Sequence, residues 1–308
     1  MHMSTAPKRG MFRGQWYRDL ETLPDRGADI EASFATPASR VEPDVQRLRD
    51  WPGSYHLFAA KACPFAHRVL LMLAVVPQPA LGITYCGPWL GGPEGWSFAP
   101  GSAPPVGEDV LWKVYAASDP AYSGRVTVPV LWDNTAGAIA SADSLEIMQA
   151  LAAAYRPEMC PEDAAFAKLC IWIHQHLNIG VYKVGFAADQ AAYNAAVDAL
   201  DSAMDKVAEL VASGFAFGTS PTIADLMIFA TGIRFDIAYH GAFQILHRRW
   251  GGNQTLQQHL ERIAALPGVE DTLAFQDYRV HYFDEAGFPV RQPMSTGRYI
   301  LPRTCDPL

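Results

Sequence analysis

Five cysteines, Cys63, Cys86, Cys160, Cys170 and Cys305, are the side chains of this sequence best suited to nucleophilic or redox chemistry. No two stand at C-x-x-C spacing, so no zinc knuckle or dithiol redox pair is written here, and the odd number argues against a disulfide framework. A free cysteine is ordinarily a small buried hydrophobe, and that reading is kept for four of them. Cys63 differs. It lies in YHLFAAKACPFAHRVLLMLAVV, between an aromatic-rich segment and an apolar one, directly before Pro64. Proline suits the first position of a helix, and the N–H groups and positive dipole end gathered at a helix start favour a thiolate. Arg68 in the same helix adds positive charge. Three residues after Cys63, where a dithiol enzyme carries its second cysteine, stands Ala66. A mixed disulfide at Cys63 must then be resolved by an external thiol, which points to monothiol chemistry with a small thiol cosubstrate.

The elements needed to hold such a cysteine can be read on either side of it. YHLFAA (Tyr55–Ala60) is a strand candidate, a helix opens at Pro64, and GITYCGP (Gly82–Pro88) suggests a second strand. A long Gly/Pro/Trp-rich segment, Pro88 to Asp119, carries only a short helical stretch, DVLWKVYAA; loops of that length are often functional. VTVPVLWD (Val126–Asp133) reads as a strand with a proline inside it, and AGAIASADSLEIMQAL as a turn, a short strand and a helix capped near Ser141 or Asp143. This order is thioredoxin-like. A proline within a strand is usually an edge or bulge feature. In a thioredoxin-like fold the proline opening the third strand is cis and faces the cysteine, which frees the preceding N–H and C=O for a peptide-like ligand. Pro129 and Val128 hold those positions. Asp143 and Ser144, at a helix start, are suited to N-capping. They are equally suited to holding the ammonium and carboxylate of a γ-glutamyl group, and both readings stay open.

From Asp163 onward apolar residues recur at helical spacing in AFAKLCIWIHQHLN, AAYNAAVDALDSAMDKVAELVA, TIADLMIFATGIRFDIAYH and TLQQHLERIAAL. The fold class is therefore α/β plus all-α, with a thioredoxin-like domain over 54–157 and a helical domain over 158–283. Residues 1–53, broken by Pro7, Pro24, Pro37, Pro43 and Pro52, read as an irregular extension wrapped on the body, with a short helix near Asp44–Trp51. Residues 284–308, with Pro289, Pro293, Pro302 and Pro307, read as a tail that is an ordered strap or a loose end.

The whole composition fits a soluble protein. The chain has 308 residues, 24 Lys plus Arg against 32 Asp plus Glu, and a formal charge of −8. That balance argues against nucleic-acid binding and against docking on an anionic membrane. The longest apolar run, Val69 to Val76, falls far short of the ~20 residues that span a bilayer. No secretory signal is visible at the N-terminus, so a cytoplasmic location in a reducing compartment is expected.

Several stretches together resemble the glutathionyl-hydroquinone reductases, the xi-class glutathione transferases. They are YHLF…ACPFAHR (Tyr55–Arg68), GWSF (Gly95–Phe98), DPAYSGRVTVPVLWD (Asp119–Asp133), ADSLEI (Ala142–Ile147), GVYKVGFA (Gly180–Ala187), TIADLMIF…IRFD (Thr222–Asp236) and LPGV…F…HYF (Leu266–Phe283). They run in family order over about residues 50–285 and touch both domains. The resemblance implies a glutathione-transferase C-terminal domain and a catalytic role for Cys63. It implies glutathione binding by Trp96, Arg125, Val128, Pro129, Asp143 and Ser144, although the family usually has Glu where Asp143 stands. Tyr182 and Tyr282 match tyrosines that help to hold the quinol. Glutathione is then the cosubstrate, no metal is needed, the second partner is an aromatic glutathione conjugate, and a homodimer is implied.

The implied reaction is reductive deglutathionylation. Cys63 attacks the sulfur of an S-glutathionyl hydroquinone, the ring leaves as hydroquinone, and a second glutathione clears the mixed disulfide. Two departures bear on substrate choice. Phe65 replaces the family's usual Trp, and IAYHGAFQILHRRW replaces a HFKCN-like run, so residues 237–253 read as a reshaped site wall or dimer edge. A lyase or reductase acting on another aromatic thioether or ether, and a non-catalytic glutathione-binding protein, are the rival readings. Retention of Cys63, Arg125, Pro129 and Ser144 together speaks against the latter. His174 and His176 stand two apart, which directs them away from each other on a helix and makes a metal site an unlikely use of them. His67 reads first as a core group, and Asp225 as a buried helix-capping carboxylate.

Overall fold

The computed structural model describes residues 9–20, 42–76, 81–90 and 92–283. The tail over 284–308, with Cys305, and most of the extension's prolines lie outside the described residues. The chain divides into two compact units, one made of Met1–Leu73 and Pro77–Tyr155, the other of Ala74–Val76 and Arg156–Leu308.

The first unit is built on a four-stranded sheet of β3 (Tyr55–Ala59), β4 (Gly82–Tyr85), β5 (Val130–Asp133) and β6 (Ala138–Ser141), in the order β4-β3-β5-β6. β4 runs parallel to β3, whereas β5 runs antiparallel to both β3 and β6. A parallel pair requires a crossover, and helix α2 (Pro64–Val75) occupies the stretch between β3 and β4. Eight α2 residues are buried, including Val69, Leu70, Leu71 and Met72, which accounts for its nearly continuous apolar sequence. Helix α3 (Leu111–Ser118) follows the long loop, and helix α4 (Ser144–Tyr155) closes the unit.

The strand expected over 126–133 begins only at Val130. Pro129 has no N–H for a ladder, and the Val128–Pro129 peptide is cis. Instead the Tyr115 hydroxyl of α3 donates to the Thr127 carbonyl (2.9 Å) and accepts from the Thr127 N–H (3.3 Å).

The N-terminal extension is more regular than its sequence suggests. Strands β1 (Gly10–Phe12) and β2 (Gln15–Tyr17) form an antiparallel hairpin whose turn residues, Arg13 and Gly14, have φ of 49° and 78°. Both positive angles match the tight two-residue turn that follows the twist of a hairpin. The expected short helix is α1 (Val45–Asp50), capped by Asp44 and packed on α4. Its Arg47 reaches Asp133 on β5 and donates to the Tyr55 hydroxyl on β3 (2.6 Å).

His56 on β3 supplies a pH test of this sheet. Its Nε2 pairs with Thr84 Oγ1 at 2.8 Å, and a Cβ at Gly82 would come within 2.6 Å of its Nδ1. Burial pulls its pKa from 6.5 down to about 4. The folded protein keeps this ring neutral while the unfolded chain takes a proton below 6.5, so the stability at stake is complete above that pH. It is lost as the pH falls toward 4, by about 2–3 kcal/mol. Urea unfolding at pH 7 and pH 4.5 should show this loss in the wild type and a smaller one in His56→Gln.

The second unit is helical: α5 (Ala164–Ile173), α6 (Gly180–Gly185), α7 (Gln190–Val211), α8 (Ile223–Arg234), α9 (Gln254–Ala264) and α10 (Phe275–Tyr282). Asp163, Asp189 and Asn253 cap α5, α7 and α9 through side-chain oxygens. Thr222 and Asp225 form a capping box at the start of α8, whose residues are buried on every side except Ile233. Tyr193, Leu200 and Met204 of α7 are core residues, as their spacing suggests. Two helices read as continuous are broken by π turns, at His174–Asn178 and Phe235–Tyr239. In the first, Asn178 donates to the Met227 carbonyl (2.9 Å) and Thr231 Oγ1 (2.8 Å) of α8, a contact that a regular helix would aim elsewhere. Among the described residues no helix is long and apolar enough to cross a membrane.

Candidate active site

Cys63 stands in the turn between β3 and α2. Its N–H donates to the Ala60 carbonyl (3.1 Å), and its own carbonyl accepts the helix's first bond from His67 (2.8 Å). The residue is buried, with 8% of its surface exposed. Sγ donates to the Val128 carbonyl at 3.6 Å, so the thiol faces the cis Val128–Pro129 peptide. Among the described residues neither the Val128 N–H nor the exposed Arg125 guanidinium has a hydrogen-bond partner. His67 is fully buried, in keeping with its reading as a core group.

A second thiol approaches from β4. The Cys86 N–H donates to the Ala59 carbonyl (2.7 Å), and its side chain is buried. Burial first, and then the nearby charge of Cys63, push the Cys86 thiol far above its ordinary range. A raised pKa disfavours the thiolate, which is the nucleophilic form of a cysteine.

At the start of α4 the candidate ligands for a γ-glutamyl group are already organised. Asp143 is the N-cap, its Oδ1 accepting from Leu145 (2.7 Å) and Glu146 (3.0 Å), and its side chain is exposed. Ser144 Oγ accepts from Arg68 Nε (3.0 Å) and Nη2 (2.7 Å), with both residues buried. Arg68, one turn beyond Cys63 on α2, thus fixes the hydroxyl at the head of α4. Trp96 is buried, and its carbonyl accepts from the Leu111 N–H (2.9 Å) that opens α3. Direct contacts therefore join Cys63 to Val128 and Arg68 to Ser144, while the side chains of Arg125 and Asp143 make no hydrogen bond to either pair.

In the second unit Tyr182 on α6 and Tyr282 on α10 share a hydrogen bond of 2.6 Å. The Tyr282 hydroxyl also donates to Tyr239 at 3.3 Å. Phe186 and Phe243 complete an aromatic cluster, with Tyr182 and Phe243 centroids 5.2 Å apart and Tyr239 stacked on Phe243 at 5.3 Å. The Tyr282 ring keeps some exposure. Burial of its hydroxyl, followed by the facing Tyr182 and Tyr239 hydroxyls, raises its pKa well above 10, and Arg234 opposes the rise. Arg234 has no role in the sequence reading of the IRFD motif, whereas Tyr239, which ends the second π turn, falls within the 237–253 segment read as a reshaped site wall or dimer edge. The signal was the motif itself; the π turn that aims Tyr239 leaves no trace in hydrophobic periodicity.

Known proteins resemble this chain over most of its length. The glutathione S-transferase N-terminal domain matches residues 62–154 and the C-terminal domain residues 190–269. Glutathionyl-hydroquinone reductase PcpF of Sphingobium chlorophenolicum is 35% identical over 291 residues, covering 89% of this chain and 90% of its own. The chain belongs to the glutathionyl-hydroquinone reductases, the xi-class glutathione transferases. The xi-class transferase of Natrialba magadii superposes with a TM-score of 0.81 at 25% identity, over 96% of this chain and 97% of its own. The glutathione-bound structure of YqjG, a glutathione transferase homolog from Escherichia coli K-12, gives 0.69 at 32%, over 74% and 79%. Of the two departures from the xi-class pattern, Phe65 places its ring 5.0 Å from the Arg68 guanidinium carbon, a cation–π contact to the residue that fixes Ser144. The segment after IRFD contributes Tyr239 and Phe243 to the aromatic cluster.

Proposed function

We propose that the protein reduces S-glutathionyl hydroquinones to hydroquinones at the expense of glutathione. The observation that carries the reading is Cys63 at the start of α2, facing the Val128 carbonyl across a cis-proline peptide. The helix start stabilises the Cys63 thiolate. The thiolate attacks the sulfur of the conjugate, forming a Cys63–glutathione disulfide as the carbon–sulfur bond breaks. The electron pair stays with the ring carbon, which takes up a proton and leaves as hydroquinone. A second glutathione thiolate then attacks the mixed disulfide, releasing glutathione disulfide and restoring Cys63.

Roles follow from side-chain chemistry. Val128 offers backbone pairing to a tripeptide beside Pro129, Arg125 an unpaired cation for a carboxylate, and Trp96 a flat apolar wall. Ser144 and the remaining oxygen of Asp143 suit the charged γ-glutamyl end. Tyr182 and Tyr282 are the phenol donors for the aromatic moiety. Tyr282→Phe should lower turnover by about 10- to 100-fold, at or below the bottom of the range for general-acid effects, because Tyr182 keeps one donor. Since the Tyr282 pKa is raised, this group stays protonated up to pH 10, and its ionisation should not reduce the rate between pH 7 and 10. A steady-state pH–rate profile of both proteins checks the two statements together.

The deciding test is intact-protein mass spectrometry after incubation with glutathionyl-menadiol, wild type beside Cys63→Ser. A transient glutathione adduct on Cys63 and free hydroquinone are expected. Product formed undiminished by Cys63→Ser would sink the cysteine mechanism.

A further inference from the structure

We propose that the N-terminal hairpin, β1–β2, is a positioning clamp for glutathione that never touches it. This rests on the assignment of Trp96 and Arg125 to the glutathione site. Those two residues lie on segments with little regular structure among the described residues, 92–110 and 119–129. Irregular segments that order only when ligand arrives weaken binding by the entropy they lose, and anything that orders them beforehand recovers affinity.

The hairpin grips both. On one side Arg9 Nη1 donates to the carbonyls of Leu90 (2.6 Å) and Gly92 (3.2 Å), and Trp16 Nε1 donates to the Pro93 carbonyl (3.0 Å). The Trp16 ring covers Gly95, where φ is +68° and an added Cβ would lie 3.0 Å from the indole. Gly95 directly precedes Trp96. Arg18 adds a 3.4 Å ion pair to Glu94, whose other oxygen accepts from Trp112 Nε1 (2.9 Å).

On the other side Met11 and Gly124 exchange two backbone hydrogen bonds of 2.9 Å each, as neighbouring strands do. The Gly14 N–H donates to the Tyr122 carbonyl (2.9 Å), and the Arg13 N–H donates to Ser123 Oγ (2.9 Å). Gly124 directly precedes Arg125. Two loops, tied elsewhere at α3 and β4, are thus also fastened to one hairpin within a residue of each candidate ligand-binding side chain. A hairpin of three-residue strands is not stable alone, so the fastening is mutual.

The test uses the full chain carrying Arg9→Ala and Trp16→Ala together, with glutathione as the titrant in calorimetry. The dissociation constant should rise about 5- to 20-fold. KM for glutathione should rise in step, while kcat at saturating glutathione stays within about twofold, a split that general destabilisation would not produce. Arg125→Ala should cost less affinity in the hairpin variant than in the wild type, since contacts that depend on one another are not additive. A dissociation constant within twofold of wild type, or full additivity with Arg125→Ala, overturns the clamp. If the double variant does not fold, Trp16→Ala alone carries the same comparison. Failure of the underlying assignment is separately visible: Arg125→Ala in the wild-type background then leaves glutathione affinity unchanged, and the clamp falls with it. Sensitivity to Arg125→Ala without sensitivity to the hairpin variants overturns the clamp alone.

Discussion

Cys63→Ser is expected to lower turnover of glutathionyl-menadiol by at least about a thousandfold, roughly 4 kcal/mol of transition-state stabilisation, while leaving glutathione affinity within about twofold. A thiol ordinarily ionises near pH 8.5 and helix starts favour thiolates, whereas a hydroxyl stays protonated throughout the working range. Oxygen also cannot form the disulfide in which the glutathione moiety must be held. The substitution nevertheless preserves shape: serine keeps the N–H to Ala60, the carbonyl to His67 and a donor toward the Val128 carbonyl. The expected signature is therefore a collapse of kcat with glutathione binding retained, read by chromatographic assay of the hydroquinone and by calorimetry. Comparable losses in binding would instead indicate that the turn before α2 had rearranged.

The second large effect is on stability. Asp225→Ala should lower the unfolding free energy by about 3–5 kcal/mol, the scale found when one partner of a buried charged network is removed. Asp225 Oδ1 accepts from the Ala216 N–H (2.8 Å) and from His259 Nε2 (2.9 Å), and Oδ2 from the Thr222 N–H (2.8 Å) and hydroxyl (2.9 Å). Both Asp225 and His259 are wholly buried. Alanine would strand four donors in the core, and each buried unsatisfied donor costs about 1–3 kcal/mol before relaxation. Whole-domain stabilities are about 5–15 kcal/mol, so the loss is a large fraction of the total. Asp225→Asn, which keeps one acceptor oxygen, should lose about half as much. Urea unfolding followed by circular dichroism distinguishes the three proteins.

Asp225 was legible as a capping carboxylate before the fold because it stands in the first turn of an apolar helix, where orphan N–H groups demand acceptors, and the structure adds Thr222, three residues earlier, as the other half of a capping box. The reach of the same carboxylate to His259 was not, because that partner arrives from another helix. The same division runs through the candidate site. The Cys63–Pro64 pair announced a thiol at a helix start, and Asp143 was readable as an N-cap. The Arg68–Ser144 contact spans 76 positions, and no local pattern carries it.

Short elements were the least legible. MFRGQWY has strands of only three residues, and one of them is completed by Gly124, more than a hundred positions away, so its pattern reads as irregular. The π turns escaped for a different reason. They keep a helical composition and change only which carbonyl each N–H meets, yet that change shifts the face on which Tyr239 falls.

By itself the sequence determined that no second cysteine stands at Ala66, the order of strands and helices from Tyr55 onward, and the helical second unit, since each depends on residue type, near spacing or periodicity. Only the tertiary structure decided that burial and the nearby Cys63 raise the Cys86 pKa, that Ser144 is fixed by Arg68, that three tyrosine hydroxyls meet, and that the N-terminal hairpin fastens two loops. These are contacts between residues far apart in the chain, and burial, charge proximity and hydrogen-bond direction exist only once those residues are brought together.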